Sequence, residues 1–191
     1  NMFESVSQTS GIMNSPLNGL TNLDYLDFTF TPAFADLDNN GTNDLFFASD
    51  YSTSVFLRNT DGAYFSDKSS QLNIKRDDLN GMGSSIADID NDGDLDIFVT
   101  AISCKDNVTH FGSLTPGNRF YENQGNGNFV DKTDRAGVRH GQWGWATCFS
   151  DFNNDGLQDI FVVNGMYGEN IEEMFLDDPS RLFIAKGDGT F

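Results

Sequence analysis

Short apolar runs recur along this chain, each one entered from a polar, acidic stretch. Leu45-Phe46-Phe47, Ile97-Phe98-Val99 and Ile160-Phe161-Val162-Val163 are the clearest. Runs this short, rich in β-branched and aromatic residues, read as strands. A strand also precedes each acidic stretch, as at Ser84 to Ala87 and Ala146 to Phe149. A further strand follows each run, at Val55 to Arg58, Arg119 to Glu122 and Arg181 to Ile184. These lead into tight turns with Asp61-Gly62, Asn126-Gly127 and Asp188-Gly189, dipeptides that accept positive φ. Phe3, Phe65 and Phe129 each open another strand-like stretch, ending at Ile12, Ile74 and Val138, and Phe191 falls at the same phase. The period is 62 to 64 residues, repeated three times.

Four short strands per repeat predict an all-β chain of β-propeller-type blades: about three four-stranded repeats, in a larger or intermolecularly completed propeller. Residues 1–191 form one repeat domain on this reading, divided near 3–64, 65–128 and 129–191. Long helical periodicity is absent; a short helix is expected only within 170–176. The stretches 103–117 and 165–179 read as surface loops.

The acidic stretches carry the chemistry. They are Asp36-Leu-Asp-Asn-Asn-Gly-Thr-Asn-Asp44, Asp88-Ile-Asp-Asn-Asp-Gly-Asp-Leu-Asp96 and Asp151-Phe-Asn-Asn-Asp-Gly-Leu-Gln-Asp159. Oxygen-bearing side chains stand at positions 1, 3, 5 and 9, and Gly41, Gly93 or Gly156 at position 6 allows the backbone to turn sharply. Hard oxygen ligands in this number suit Ca²⁺ better than Mg²⁺, which demands a stricter octahedron. The expected ligands are Asp36, Asp38, Asn40 and Asp44; Asp88, Asp90, Asp92 and Asp96; and Asp151, Asn153, Asp155 and Asp159. Carbonyls of Thr42, Asp94 and Leu157 would complete each shell, by analogy with the EF-hand loop. An EF-hand is excluded, because position 12 holds Phe47, Val99 or Val162 where that loop needs a bidentate Glu. Carboxylates about 4 Å apart repel by roughly 4 kcal/mol at an effective dielectric of 20, which favours a bound cation. The second loop has four carboxylates against three in each of the others, so it is expected to bind tightest.

Charge narrows the partners. Eleven Lys and Arg face 29 Asp and Glu, a formal net charge of −18, so a nucleic-acid backbone would be repelled. No apolar run approaches the roughly 18 residues that span a membrane. Beginning at Asn1 rather than Met fits a processed or trimmed N-terminus, compatible with a removed signal peptide. Cys104 and Cys148 lie in adjacent repeats, which leaves an inter-repeat disulfide and two free thiols both open. Trp143 and Trp145 flank Gly144 and offer either a ligand-stacking pair or packing between blades. His110 and His140 sit in polar connections with no nucleophile placed beside them. Asn107-Val-Thr109 is a glycosylation sequon, and Asn40-Gly-Thr42 is another that metal ligation would preclude.

The stretch Gly81-Met-Gly-Ser-Ser-Ile-Ala-Asp-Ile-Asp-Asn-Asp-Gly-Asp-Leu-Asp-Ile-Phe-Val99 resembles the FG-GAP or VCBS repeats of integrin α-subunit propellers and secreted bacterial proteins. So does Asn118-Arg-Phe-Tyr-Glu-Asn-Gln-Gly-Asn-Gly-Asn-Phe-Val-Asp-Lys-Thr-Asp-Arg-Ala-Gly-Val138. Trp143-Gly-Trp-Ala-Thr-Cys-Phe-Ser-Asp-Phe-Asn-Asn-Asp-Gly156 looks like the cartilage-acidic-protein subgroup. The resemblance covers nearly the whole chain. It implies a β-propeller, calcium in the blade loops and an extracellular setting, without implying one activity. Asn40 and Asn153 depart from the family's Asp at ligand positions, which would weaken those sites. Three repeats also fall short of the 4 to 8 blades of a closed propeller. A segment of a longer protein, blades completed by other chains, and an open array with unpaired edges are the three expectations.

The expected function is a secreted or cell-surface module with up to three structural Ca²⁺ ions and no catalytic constellation. Its partner would be a protein or glycan ligand, or copies of itself. The alternatives are an extracellular enzyme domain acting on polysaccharide or a phosphoester, and a subunit of an extracellular homopolymer.

Overall fold

A computed structural model of the chain describes residues 5–6, 9–12, 29–51, 54–70, 80–104, 116–165 and 178–191. Its strands fall into three antiparallel sheets, each running in chain order. The first holds β1 (Thr29–Ala35), β2 (Asp44–Ser49), β3 (Val55–Asn59) and β4 (Phe65–Asp67). The second holds β5 (Ser84–Ala87), β6 (Asp96–Val99), β7 (Arg119–Asn123) and β8 (Phe129–Asp131). The third holds β9 (Gly144–Ser150), β10 (Asp159–Asn164) and β11 (Arg181–Phe183). The all-β, blade-like architecture expected from the runs is therefore present. The strand opened by Phe3, the stretch ending at Ile74 and the short helix within 170–176 lie outside the described residues.

Two details differ from the sequence reading. The strands opened by Phe65 and Phe129 close a sheet as its outer member and do not open the next. The cause is local: Asn59 registers opposite Phe65, and Asn123 opposite Phe129, across the tight turns. A single-turn helix, α1 (Thr133–Ala136), also follows β8. The Asp131 carboxylate accepts the backbone N–H of Thr133 at 3.0 Å and its hydroxyl at 2.6 Å. Gly137, at φ 79°, then ends the turn in the left-handed region. Thr133 Oγ1 in turn accepts the N–H of Phe120 at 2.8 Å, and Ser69 does the same for Phe56 at 2.9 Å.

The apolar run of β6 is continuous because a sheet covers each of its faces. Alternate residues of a strand point to opposite faces. Leu37, Phe46 and Phe56 of the first sheet therefore pack on Ile97, Val99, Tyr121 and Phe129 of the second. On its other face, Ile89, Phe98 and Phe120 pack on Ile160, Val162 and Phe149 of the third. Burying each such ring stabilises by roughly 1.5–3 kcal/mol. The periodic phenylalanine is one of these contacts: Phe129 meets Phe56 edge-on at 6.1 Å, and Phe191 meets Phe120 at 6.3 Å. The inner strands are tied directly. Thr31 Oγ1 donates to Met82 O, and Ser85 Oγ to Thr147 O, both at 2.8 Å. A Cβ on Gly83 would lie 2.8 Å from Ala146 Cα, so only glycine permits this approach of the second sheet to the third.

Among the described residues, one tie is made only once. Asn123 Nδ2 donates to Leu37 O of the preceding sheet at 2.8 Å. Ala185 holds the same place beyond β11, and there a cavity of about 90 Å³ opens, bounded by Ile89, Phe120, Leu157, Ala185 and Phe191. Replacing Ala185→Asn should supply the equivalent bond to Ile89 O and raise stability by about 1 kcal/mol. Urea melts of the two proteins measure this; an unchanged or lower midpoint would show that the space is not a vacant asparagine seat.

Candidate metal centres

Each acidic loop joins the innermost strand of its sheet to the second strand, so the loops of successive sheets share one end of the array. They are tightly bent and congruent. At position 1, Asp36 Oδ1 accepts Asn40 N at 3.0 Å and its Oδ2 accepts Gly41 N at 2.8 Å. Asp88 does the same with Asp92 N and Gly93 N, and Asp151 with Asp155 N and Gly156 N. At position 3, one oxygen of Asp38, Asp90 or Asn153 accepts the same position-5 amide. The position-7 amides of Thr42, Asp94 and Leu157 then donate to the side-chain oxygens of Asn40, Asp92 and Asp155. Such Asx turns wrap the backbone around its own carboxylates. The glycines at position 6 have φ between 88° and 95°, and no atom lies within 4 Å of where a Cβ would stand. Conformation, and not space, requires glycine there.

Position 4 also adopts the left-handed conformation, at Asn39, Asn91 and Asn154, with φ of 56° to 60°. Asparagine tolerates it better than most residues. The identical residue at that position in all three loops was the signal, and the ligand pattern alone does not capture it.

The ninth-position aspartates have a second role that ligand counting missed. Asp44, Asp96 and Asp159 are all fully buried. Asp44 Oδ2 accepts Leu37 N at 3.1 Å, inside its own loop, and Oδ1 accepts Asn59 N at 2.8 Å, at the far end of β3. Asp96 joins Ile89 N and Asn123 N, and Asp159 joins Phe152 N and Ala185 N, in the same way. Each carboxylate therefore staples its loop and two strands together.

Carboxylate oxygens of Asp36, Asp38 and Asp44 lie within 4.8 Å of one another, and so do those of Asp88, Asp90 and Asp96. Asp92 is not among the second three. In the third loop position 3 is an amide, and Asn153 Nδ2 donates to Asp155 Oδ2 at 2.8 Å, cross-linking two expected ligands. Burial pushes Asp44 up to about 6, helped by the charges of Asp38 and Asp36. Burial pushes Asp96 up to about 7, helped by Asp90 and Asp92. Asp90 is raised by burial, then by Asp92 and Glu122. In the first loop the buried Oδ2 of Asp38 faces the guanidinium of Arg58 as an ion pair. All-oxygen donors and mutual repulsion fit a divalent cation, so the first two clusters are able to hold a metal ion.

Other candidates fare differently. Cys104 is buried and Cys148 exposed, and both are free thiols, so the inter-repeat disulfide is not formed. Alternation along β9 turns Cys148 to the exposed face, opposite Phe149, which packs towards the second sheet. Trp143 and Trp145 stack at 6.1 Å and 20°. Trp143 is only 4% exposed, among Met82, Ile102 and Cys104, and Trp145 Nε1 donates to Gly165 O at 2.7 Å. Trp143 is therefore a core residue, and Trp145 stays half-buried beside it. His140 is exposed. His110 and the sequon at 107–109 lie outside the described residues.

The raised carboxylates set a pH dependence for the metal-free protein. Between about pH 4 and pH 7 the native state holds protons on Asp44 and Asp96 that the unfolded chain has already released. Stability in chelator should therefore fall as pH rises through that window and level off above it. Calcium should flatten the fall by compensating the ionised forms. Thermal melts from pH 4.5 to 8, with chelator and with calcium, check this; a metal-free midpoint that climbs towards pH 8 would count against buried ninth-position aspartates.

No curated protein matches the chain. The FG-GAP-like repeat matches residues 36–99, which carry the first two acidic loops, and residues 108–162, which carry the third. With matches over all three loops and more than half its length, the chain belongs to the family of FG-GAP-like repeats.

Proposed function

We propose that this chain is a secreted or cell-surface binding or assembly module, with Ca²⁺ in its acidic loops holding the blades rigid. The observation that carries the reading is the congruence of the three loops, two of which gather three carboxylates within 4.8 Å. Ca²⁺ accepts such oxygen-only, irregular shells. Its ligands would be the side chains at positions 1, 3, 5 and 9, with the carbonyls of Thr42, Asp94 and Leu157. Repeats of this family are typical of extracellular proteins, where calcium is abundant. Among the described residues, no helix is long and apolar enough to cross a membrane.

The partner is a protein or glycan, or another copy of this chain. One face favours self-assembly. Phe161 registers opposite Leu182 as Phe46 does opposite Phe56 and Phe98 opposite Phe120. The earlier two pairs are covered by the next sheet, whereas Leu182 is 47% exposed and Phe152, in the place of Leu37 and Ile89, is 45% exposed. A further blade of the same repeat fits that face.

A thermal melt with sizing tests both parts. Millimolar calcium should raise the midpoint over chelator, since one site at 100 times its Kd contributes about 2.7 kcal/mol. Asp90→Asn should remove most of the gain. No shift, with Asp90 replaceable at no cost, would reduce the loops to acidic turns. Self-association in calcium that Leu182→Glu weakens supports the assembly part. A monomer over a wide range of concentration and calcium removes it.

A further inference from the structure

The three loops are alike in backbone and unlike in what faces their third position. Asp38 lies with its side chain fully buried, and the guanidinium of Arg58 forms an ion pair with its Oδ2. Arg58 projects from β3, one residue before the Asn59 amide that Asp44 staples, and its side chain is one third exposed. On β7 the corresponding residue is Glu122, and beyond β11 it is Ile184; both immediately precede the residue that the ninth-position Asp holds. Arg58 opposite Ser66 and Glu122 opposite Val130 share the same register, so the correspondence is structural.

A buried carboxylate must be paired. In the first loop the arginine already meets that need. Its positive charge also stands where a dication would have to approach the Oδ2 of Asp38, and like charges at that range repel strongly in a partly buried site. The second loop has the opposite arrangement. Glu122 adds a fifth carboxylate beside Asp88, Asp90, Asp92 and Asp96, tempered by Lys132 at 3.3 Å from Glu122.

The geometry points to Arg58 as the resident cation of the first loop, taking calcium's place beside Asp38 so that this loop stays closed without metal while the second loop takes calcium first. The calcium half of this statement rests on the proposed function; the arginine half does not. Calcium reaching the first loop would have to displace Arg58 or forgo one oxygen of Asp38.

The test is calorimetric calcium titration, with a thermal melt in chelator, on the 191-residue chain. Wild type, Arg58→Met, and Arg58→Met with Asp38→Asn are compared. Arg58→Met should add one tight calcium site, at least tenfold tighter than anything wild type shows at the first loop, and Asp38→Asn should abolish it. In chelator, Arg58→Met should melt lower than wild type, and Asp38→Asn should recover much of the loss by removing the unpaired charge. Arg58→Lys should track wild type in both readouts. Should the methionine variant not fold, Arg58→Gln removes the same charge with less change of shape. A chelator midpoint that does not fall, or falls without recovery by Asp38→Asn, overturns the proposal. So does an Arg58 variant that loses calcium, or leaves its uptake unchanged in a chain whose wild type binds it. If wild type takes up no calcium at all, the calcium reading fails, and the chelator melts still decide whether Arg58 is the loop's cation.

Discussion

A carboxylate with no access to water holds each sheet of this protein at its acidic end. Asp44, Asp96 and Asp159 start the second strand of their sheets, yet each reaches an amide in its own loop and another at the end of the following strand. Those amides lie in the loops and at strand ends, where buried N–H groups would otherwise lack partners. Leaving one such group unsatisfied costs about 1–3 kcal/mol. The solution has its own cost, because the carboxylate is desolvated and sits beside others, as the upward shifts of Asp44 and Asp96 record. Everything else in the loop follows from that tension. The amides folded around positions 1 and 3 stabilise negative charge, and a cation at the centre removes the remaining repulsion.

The sheets themselves depend on a different economy. Each sheet is one layer, so the largest clusters lie between sheets, and a central strand buried on both sides is apolar on both faces. That is why Phe46 and Leu45, or Phe98 and Ile97, follow one another without a polar residue between. It also explains a phenylalanine every 62 to 64 residues: Phe129 and Phe191 each reach back to a ring of the preceding sheet. Stability is then shared between neighbours, as expected of repeat architectures.

Much of this was legible in the sequence because it is local or periodic. The apolar runs, the Asp-Gly and Asn-Gly turns and the glycine at position 6 all report on neighbours a few residues away, and the repeat multiplies each signal by three. The assignment of Phe65 and Phe129 to the outer edge of a sheet was not visible, since periodicity finds a repeat and not where it is cut. The Asp131 and Thr133 pair that nucleates α1 was overlooked although Asp67 and Ser69 repeat it. Trp145 and Cys148 were undecidable in principle, because alternation along β9 says nothing about which face another sheet covers.

Arg58 shows the limit most clearly. It lies twenty positions from Asp38, and only the register of β3 against β2 brings them together. A motif search sees three near-identical loops and expects three equal sites. The residue before the stapled amide makes them unequal: an arginine at the first, a glutamate at the second, and at the third an isoleucine, with Asn153 bonded to Asp155. The backbone of the loop is indifferent to this choice, since its turns are made by amides and by two left-handed residues. A repeat of this kind can therefore keep its fold while varying, one strand residue at a time, how each loop balances its charge. Sequence identity within the loop is a guide to its shape, and the neighbouring strand decides its cation.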